Sequence, residues 1–97
     1  MMSVTDEKEL NLDEFINELS TYEKLFLFKV FPDNSFKEID LSEISKNLFR
    51  GFFLGIEDGG KYNICLFNLK NGKVVVKCCI FGDNPEVLST WVKRLIE

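Results

Sequence analysis

Few residues in this chain are of types that do chemistry, and their spacing limits what chemistry they support. There is no histidine. That removes Ser-His-Asp and Cys-His nucleophile pairs and any imidazole metal site. Three cysteines remain, Cys65, Cys78 and Cys79. Cys65 and Cys78 lie in two apolar runs, Tyr62 to Leu69 and Val74 to Phe81, on either side of Asn71-Gly72. A two-residue type I′ turn at Asn-Gly would set Cys65 opposite Cys78, with Cα atoms about 4.5–5.5 Å apart, within reach of a cross-strand disulfide. Cys79 would point to the other face, so one metal ion would not be shared by all three. An odd cysteine count argues against a full disulfide framework, and reduced core thiols are the expectation for an intracellular chain.

Carboxylates at strand ends, Glu57, Asp58 and Asp83, could serve as general acids or bases, but loop carboxylates are usually solvated. No phosphate-binding loop or dinucleotide fingerprint is present. The sequence therefore predicts a protein that is not an enzyme and that takes no cofactor and no metal. Lys70, Lys73 and Lys77 cluster at the hairpin tip, where they could meet phosphate or an acidic protein; solvated lysines that guard a sheet are the commoner arrangement.

The same hairpin fixes the positions of its other side chains. Lys70 faces Lys73, and Leu69/Val74, Phe67/Val76, Cys65/Cys78 and Asn63/Ile80 share one face, expected to be the core. Leu66, Ile64, Tyr62, Cys79 and Phe81 lie on the other, and a slip of one residue would exchange the two. After Phe81, Asn84-Pro85 reads as a helix start, with Asp83 and Glu86 as a capping box one residue earlier. Val87, Leu88, Trp91, Val92 and Leu95 then form one stripe, expected to lie on the core face of the hairpin.

Earlier in the chain, residues 1–10 read as a flexible acidic N-terminus. Asn11 with Glu14 has the pattern of a capping box, and Leu10 with Phe15 that of a hydrophobic staple, so a helix is expected to start here, with Leu12, Phe15, Ile16 and Leu19 at helical spacing and its end at Ser20-Thr21. Tyr22 to Phe31 favours a strand, Pro32-Asp33-Asn34 a turn, and Ser35 to Ile39 a short second strand. Asp40 with Glu43 repeats the capping signature and predicts a short helix from about Leu41 to Leu48. Phe49 to Glu57 is a further strand. Phe52, Leu54 and Ile56 fall on the hairpin's core face if Asp58-Gly59-Gly60 hides a two-residue turn. Gly51, Phe53 and Gly55 would then leave a groove of bare backbone opposite, either room for a packed element or a slot for a partner's side chain.

The fold class expected is α+β: residues 11–97 form one domain, a single antiparallel sheet of four to five strands with flanking helices, in the order α-β-β-α-β-β-β-α. That order is similar to the one found in small roadblock- and profilin-like domains. The likeness is one of element order alone and licenses no function.

Composition narrows the partners. The 97 residues suffice for one core. Ten phenylalanines imply a core of aromatic volume, and the absence of Ala and Gln beside abundant Phe, Lys, Asn and Ile fits an AT-rich genome, viruses and plasmids included. The formal charge of −4 is uneven. Asp6, Glu7, Glu9, Asp13, Glu14, Glu18 and Glu23 crowd the first 23 residues, while lysines dominate from Lys61 onward. An acidic chain is a poor match for nucleic acid. The longest apolar stretch, Leu48 to Ile56, is about half a membrane span and contains Arg50. The N-terminus lacks an apolar signal region, and a cytoplasmic protein with no membrane partner is expected.

Three readings follow. The first is a non-catalytic protein-interaction module, a small adaptor or regulator, self-associating or bound to another protein, with Gly51, Phe53, Gly55, Tyr62, Ile64, Leu66 and Phe81 as its contact surface. The second is an acidic viral or mobile-element inhibitor of a host protein, acting by charge mimicry. The third is a small-ligand sensor with Phe53, Tyr62 and the glycine gap lining its pocket.

Overall fold

The computed structural model describes residues 3–44 and 49–81, the side chains of 3–6 and 78–81 excepted. Asn71 and Gly72 make the chain's clearest reversal. Their φ values of 55° and 80° are the left-handed pair that a type I′ turn needs. The turn joins β5 (Tyr62–Lys70) to β6 (Lys73–Phe81). The register is the one the turn predicts, with Lys70 opposite Lys73, Phe67 opposite Val76 and Cys65 opposite Cys78.

Four more strands extend this hairpin: β1 (Ser3–Asn11), β2 (Lys24–Val30), β3 (Phe36–Ile39) and β4 (Phe49–Ile56). All neighbours pair antiparallel, in the order β1-β6-β5-β4-β2-β3. The one α-helix among the described residues, α1 (Leu12–Leu19), packs on one side of the sheet, here the helix face. Asn11 ends β1 and caps α1 at once. Its Oδ1 accepts the Glu14 N–H at 2.8 Å, and the Glu14 carboxylate accepts the Asn11 N–H at 3.3 Å. This reciprocal cap satisfies two amides that would otherwise lack partners.

Phe15 and Leu19 of α1 are buried against Leu27, Phe53, Cys65, Phe67, Leu69, Val74 and Val76. The Phe15 ring lies 4.9 Å from that of Phe67 and 6.1 Å from that of Phe53, centroid to centroid. Burying a phenylalanine of this kind is worth about 1.5–3 kcal/mol.

The expected α-β-β-α-β-β-β-α order is not the fold. The described residues are mostly β, with six strands where four or five were expected, and the roadblock- or profilin-like order does not hold. One difference lies at the start. The acidic segment read as flexible is strand β1 from Ser3 onward, laid antiparallel along β6. Its apolar signal is faint because the strand is held by its ladder and by charge: Glu7 lies 3.8 Å from Lys77 and Glu9 4.0 Å from Lys73. Without β1, β6 would present a row of unpaired backbone groups.

Another difference is the helix expected from Leu41 to Leu48. Here the chain makes a single 3-10 turn, Leu41–Glu43, in which the Asp40 N–H donates to Glu43 at 2.7 Å. Ile44 is already extended, with φ −71° and ψ 128°. Leu41 and Ile44 both pack into the core cluster, on the helix face. Residues 45–48 and the helix expected after Asn84 lie outside the described residues. No helix among the described residues is long and apolar enough to cross a membrane.

Candidate interaction face

The face on which each residue of β4 lies depends on the length of the loop before β5. Ile56 pairs with Tyr62, and the Glu57 N–H donates to the Lys61 carbonyl at 2.9 Å. Asp58, Gly59 and Gly60 therefore form a three-residue loop, with φ of 98° and 86° at the two glycines. An odd loop inverts the parity that a two-residue turn would give. Phe53 stands opposite Cys65 and Gly51 opposite Phe67, so Gly51, Phe53 and Gly55 are on the helix face. Phe52, Leu54 and Ile56 are on the far face, the reverse of the expected assignment.

The proposed contact surface is thus divided between the two sides of the sheet. Phe53 is buried between the rings of Phe15, Tyr22 and Phe67. The groove beside the two glycines is filled from within. A Cβ on Gly55 would lie 2.6 Å from the Tyr22 ring. One on Gly51 would lie 2.6 Å from Phe67 and 2.4 Å from the Phe28 carbonyl oxygen. Each glycine is covered by an aromatic ring, a recognised way of sheltering bare strand backbone. The glycine gap is therefore the seat of Tyr22 and Phe67, which leaves the pocket of a ligand sensor no room at that place.

Tyr62, Ile64 and Leu66 lie on the far face. The register puts Phe81 opposite Tyr62; its side chain lies outside the described residues. Ile64 is buried, whereas Tyr62 and Leu66 are half-buried. Sequence reasoning missed the aromatic group at the other end of this face. Phe28 stacks on Phe52 at 4.7 Å and 13°, and Phe36 meets both rings edge-on at 5.9 and 5.3 Å. Phe36 is 45% exposed and Phe26, on the same face of β2, is 38% exposed. The signal was present in the alternation of Phe26 and Phe28, which puts two rings on one side of β2. A helix face and a far face that are both apolar made that alternation hard to read.

Beside this aromatic rim runs β3, four residues long and last in the sheet. Its inner side pairs with β2. Some charged side chains elsewhere are paired. Lys8 and Glu18 are 2.6 Å apart, and Lys73 and Lys77 of the hairpin lie 4.0 and 3.8 Å from Glu9 and Glu7 of β1. The acidic first segment and the basic hairpin tip thus partly neutralise each other, which weakens the case for a charge mimic.

A shallow polar cleft opens at the other end of the sheet, lined by Lys8, Glu18, Thr21, Tyr22, Glu57 and Asp58. The Asn63 amide donates to Glu57 at 3.0 Å and also hydrogen-bonds the Tyr22 side chain. Burial raises the Tyr22 phenol above its ordinary pKa, against the pull of the Asn63 bond. Every side chain in this cleft for which a contact is described is engaged with another group of the protein.

Cys65 is disulfide-bonded. This departs from the expectation of reduced core thiols. The hairpin register pairs the backbone of Cys65 with that of Cys78. No family model, no curated protein and no solved structure matches this chain.

Proposed function

We propose that this chain is a non-catalytic protein-interaction module that self-associates through the outer part of its far face. The observation that supports the reading is the aromatic rim: Phe26 and Phe36 are exposed next to half-buried Phe28, on the side of the sheet away from α1. Exposed aromatic clusters on otherwise polar surfaces are typical of contact sites, because they offer large apolar area at small entropic cost. The edge strand β3 carries Phe36, so a second copy can gain backbone hydrogen bonds as well as ring contacts. An intracellular setting goes with this reading.

Light scattering across a range of protein concentrations tests it. The wild-type chain is expected to be heavier than a monomer at micromolar concentration. Phe36→Lys is expected to shift it toward monomer while the circular dichroism of the sheet is unchanged. A wild-type chain that stays strictly monomeric at the highest concentration overturns self-association through the rim.

A further inference from the structure

Lys29 is a cation on the side of the sheet that carries the core. It stands opposite Gly51 of β4 and Lys37 of β3, on the helix face. It is half-buried, and none of the ion pairs among the described residues includes it. Its ammonium lies instead over two rings, 5.4 Å from the centre of Phe31 and 5.3 Å from that of Phe49. Ring faces attract a cation by about 0.5–2 kcal/mol and leave its N–H donors open to an acceptor. Phe49 is held from behind by Phe67, whose ring is nearly parallel to it at 5.7 Å and 6°. With Pro32 and Arg50, these residues line a cleft of about 270 Å³ where β2 ends and β4 begins. Arg50 Nη1 donates to Asn34 Oδ1 at 3.3 Å, which ties the guanidinium to the turn between β2 and β3. No described residue lining the cleft is acidic, although the chain carries a net charge of −4.

We propose that this cleft binds a small organic anion, a carboxylate or phosphate carried on a flat apolar body, with the anion at Lys29 and Arg50 and the body against Phe31, Pro32 and Phe49. Two cations and no acid call for negative charge. An ammonium and a guanidinium both make charge-assisted hydrogen bonds to carboxylate and phosphate oxygens. The remaining walls are apolar, and a bare inorganic ion would leave them uncovered. Size sets an upper limit. Clefts for drug-sized ligands run from about 300 Å³ upward, so this one suits a molecule of about one ring. The Phe49–Phe67 stack and the Arg50–Asn34 bond hold two of the walls before a ligand arrives, which lowers the entropy lost on binding. Neither Phe53 nor Tyr62, where a ligand pocket was expected from the sequence, lines this cleft. Phe26 and Phe36 do not line it either, so the inference stands whether or not the chain self-associates.

Benzoate and phenyl phosphate are suitable probes, titrated into the isotope-labelled full-length chain and followed by nuclear magnetic resonance. At least one is expected to shift the amide signals of Phe31, Phe49 and Arg50 saturably, with a millimolar or tighter dissociation constant. The tighter of the two shows which anion the cleft prefers. Benzyl alcohol keeps the ring without the charge, and inorganic phosphate keeps the charge without the ring. Each is expected to bind about tenfold more weakly, or worse, than phenyl phosphate. Lys29→Gln is expected to weaken the better probe about tenfold or more, and Lys29→Arg to keep most of the affinity. Lys37→Gln, an exposed neighbour outside the cleft, should change it by less than about twofold. Neither probe giving saturable shifts at these residues overturns the inference. So does benzyl alcohol or inorganic phosphate binding as tightly as phenyl phosphate, a comparison that needs no variant. A folded Lys29→Gln chain that binds the better probe unchanged refutes it too.

Discussion

The Tyr22 ring lies flat against Gly55, with its Cδ1 and Cε1 atoms 2.6 Å from where a Cβ on that glycine would stand. The ring also sits 5.8 Å from that of Phe53, so it is wedged between a strand backbone and the core. Gly55→Ala is therefore expected to destabilise the fold by about 1–3 kcal/mol, the usual cost of overpacking. Tyr22→Ala should cost less in the Gly55→Ala background than in the wild type, because the clash has then been relieved. Denaturant melts of the two single variants and the double variant measure that coupling. Strictly additive costs would show that the ring swings clear without strain.

Phe15 is the side chain through which α1 grips the sheet. Phe15→Ala removes a ring in contact distance of Phe53 and Phe67 and leaves a cavity at the centre of the helix face. The expected loss is about 3–5 kcal/mol. Urea unfolding would show it as a lowered midpoint with little change in slope; a loss under 1 kcal/mol would mean that the helix is not a structural part of the core.

At the junction of β1 and α1, Asn11→Ala removes the acceptor for the Glu14 amide. About 1 kcal/mol of stability should go with it. Asn11→Asp keeps an acceptor at the helix's positive end and is expected to retain most of that stability, which thermal melts can compare directly.

Burial holds the Tyr22 phenol above its ordinary value near 10, and the nearby carboxylates of Glu57 and Glu18 push the same way. The folded state then binds this proton more tightly than the unfolded state does. Tyr22's contribution to stability is whole below the unfolded value and is lost as pH rises through the raised folded value. Stability measured from pH 9 upward should fall, and Tyr22→Phe should flatten the decline. An ultraviolet titration in which the Tyr22 phenol, read as the difference between wild type and Tyr22→Phe, ionises at its ordinary value would contradict it.

Non-reducing peptide mapping is expected to join the peptide containing Cys65 to the one containing Cys78. The register sets Cys79 opposite Ile64 on the far face, so Cys79 should appear as the thiol that alkylates without reductant. A Cys65–Cys79 peptide would show that the hairpin register is shifted.

Some of this architecture was decided locally. Asn71 and Gly72 adopt the two positive φ values that only such residues reach at small cost, and that alone set every pairing from Lys70/Lys73 to Tyr62/Phe81. The Asn11–Glu14 cap started α1 at the position its own side chains dictate. Relationships between distant segments were decided only by the tertiary fold. The acids of β1 carry no strong strand pattern, yet they lie along β6 because an unpaired ladder and the lysines of the hairpin were waiting there. One extra residue in the Asp58–Gly60 loop reversed the faces of β4, set Phe53 against α1 and put Phe52, itself buried, on the far face beside Phe36. A strand alternates with period two, so its apolar residues identify a pair of faces; which of the two meets the helix depends on a loop length and a pairing that no short stretch of sequence contains.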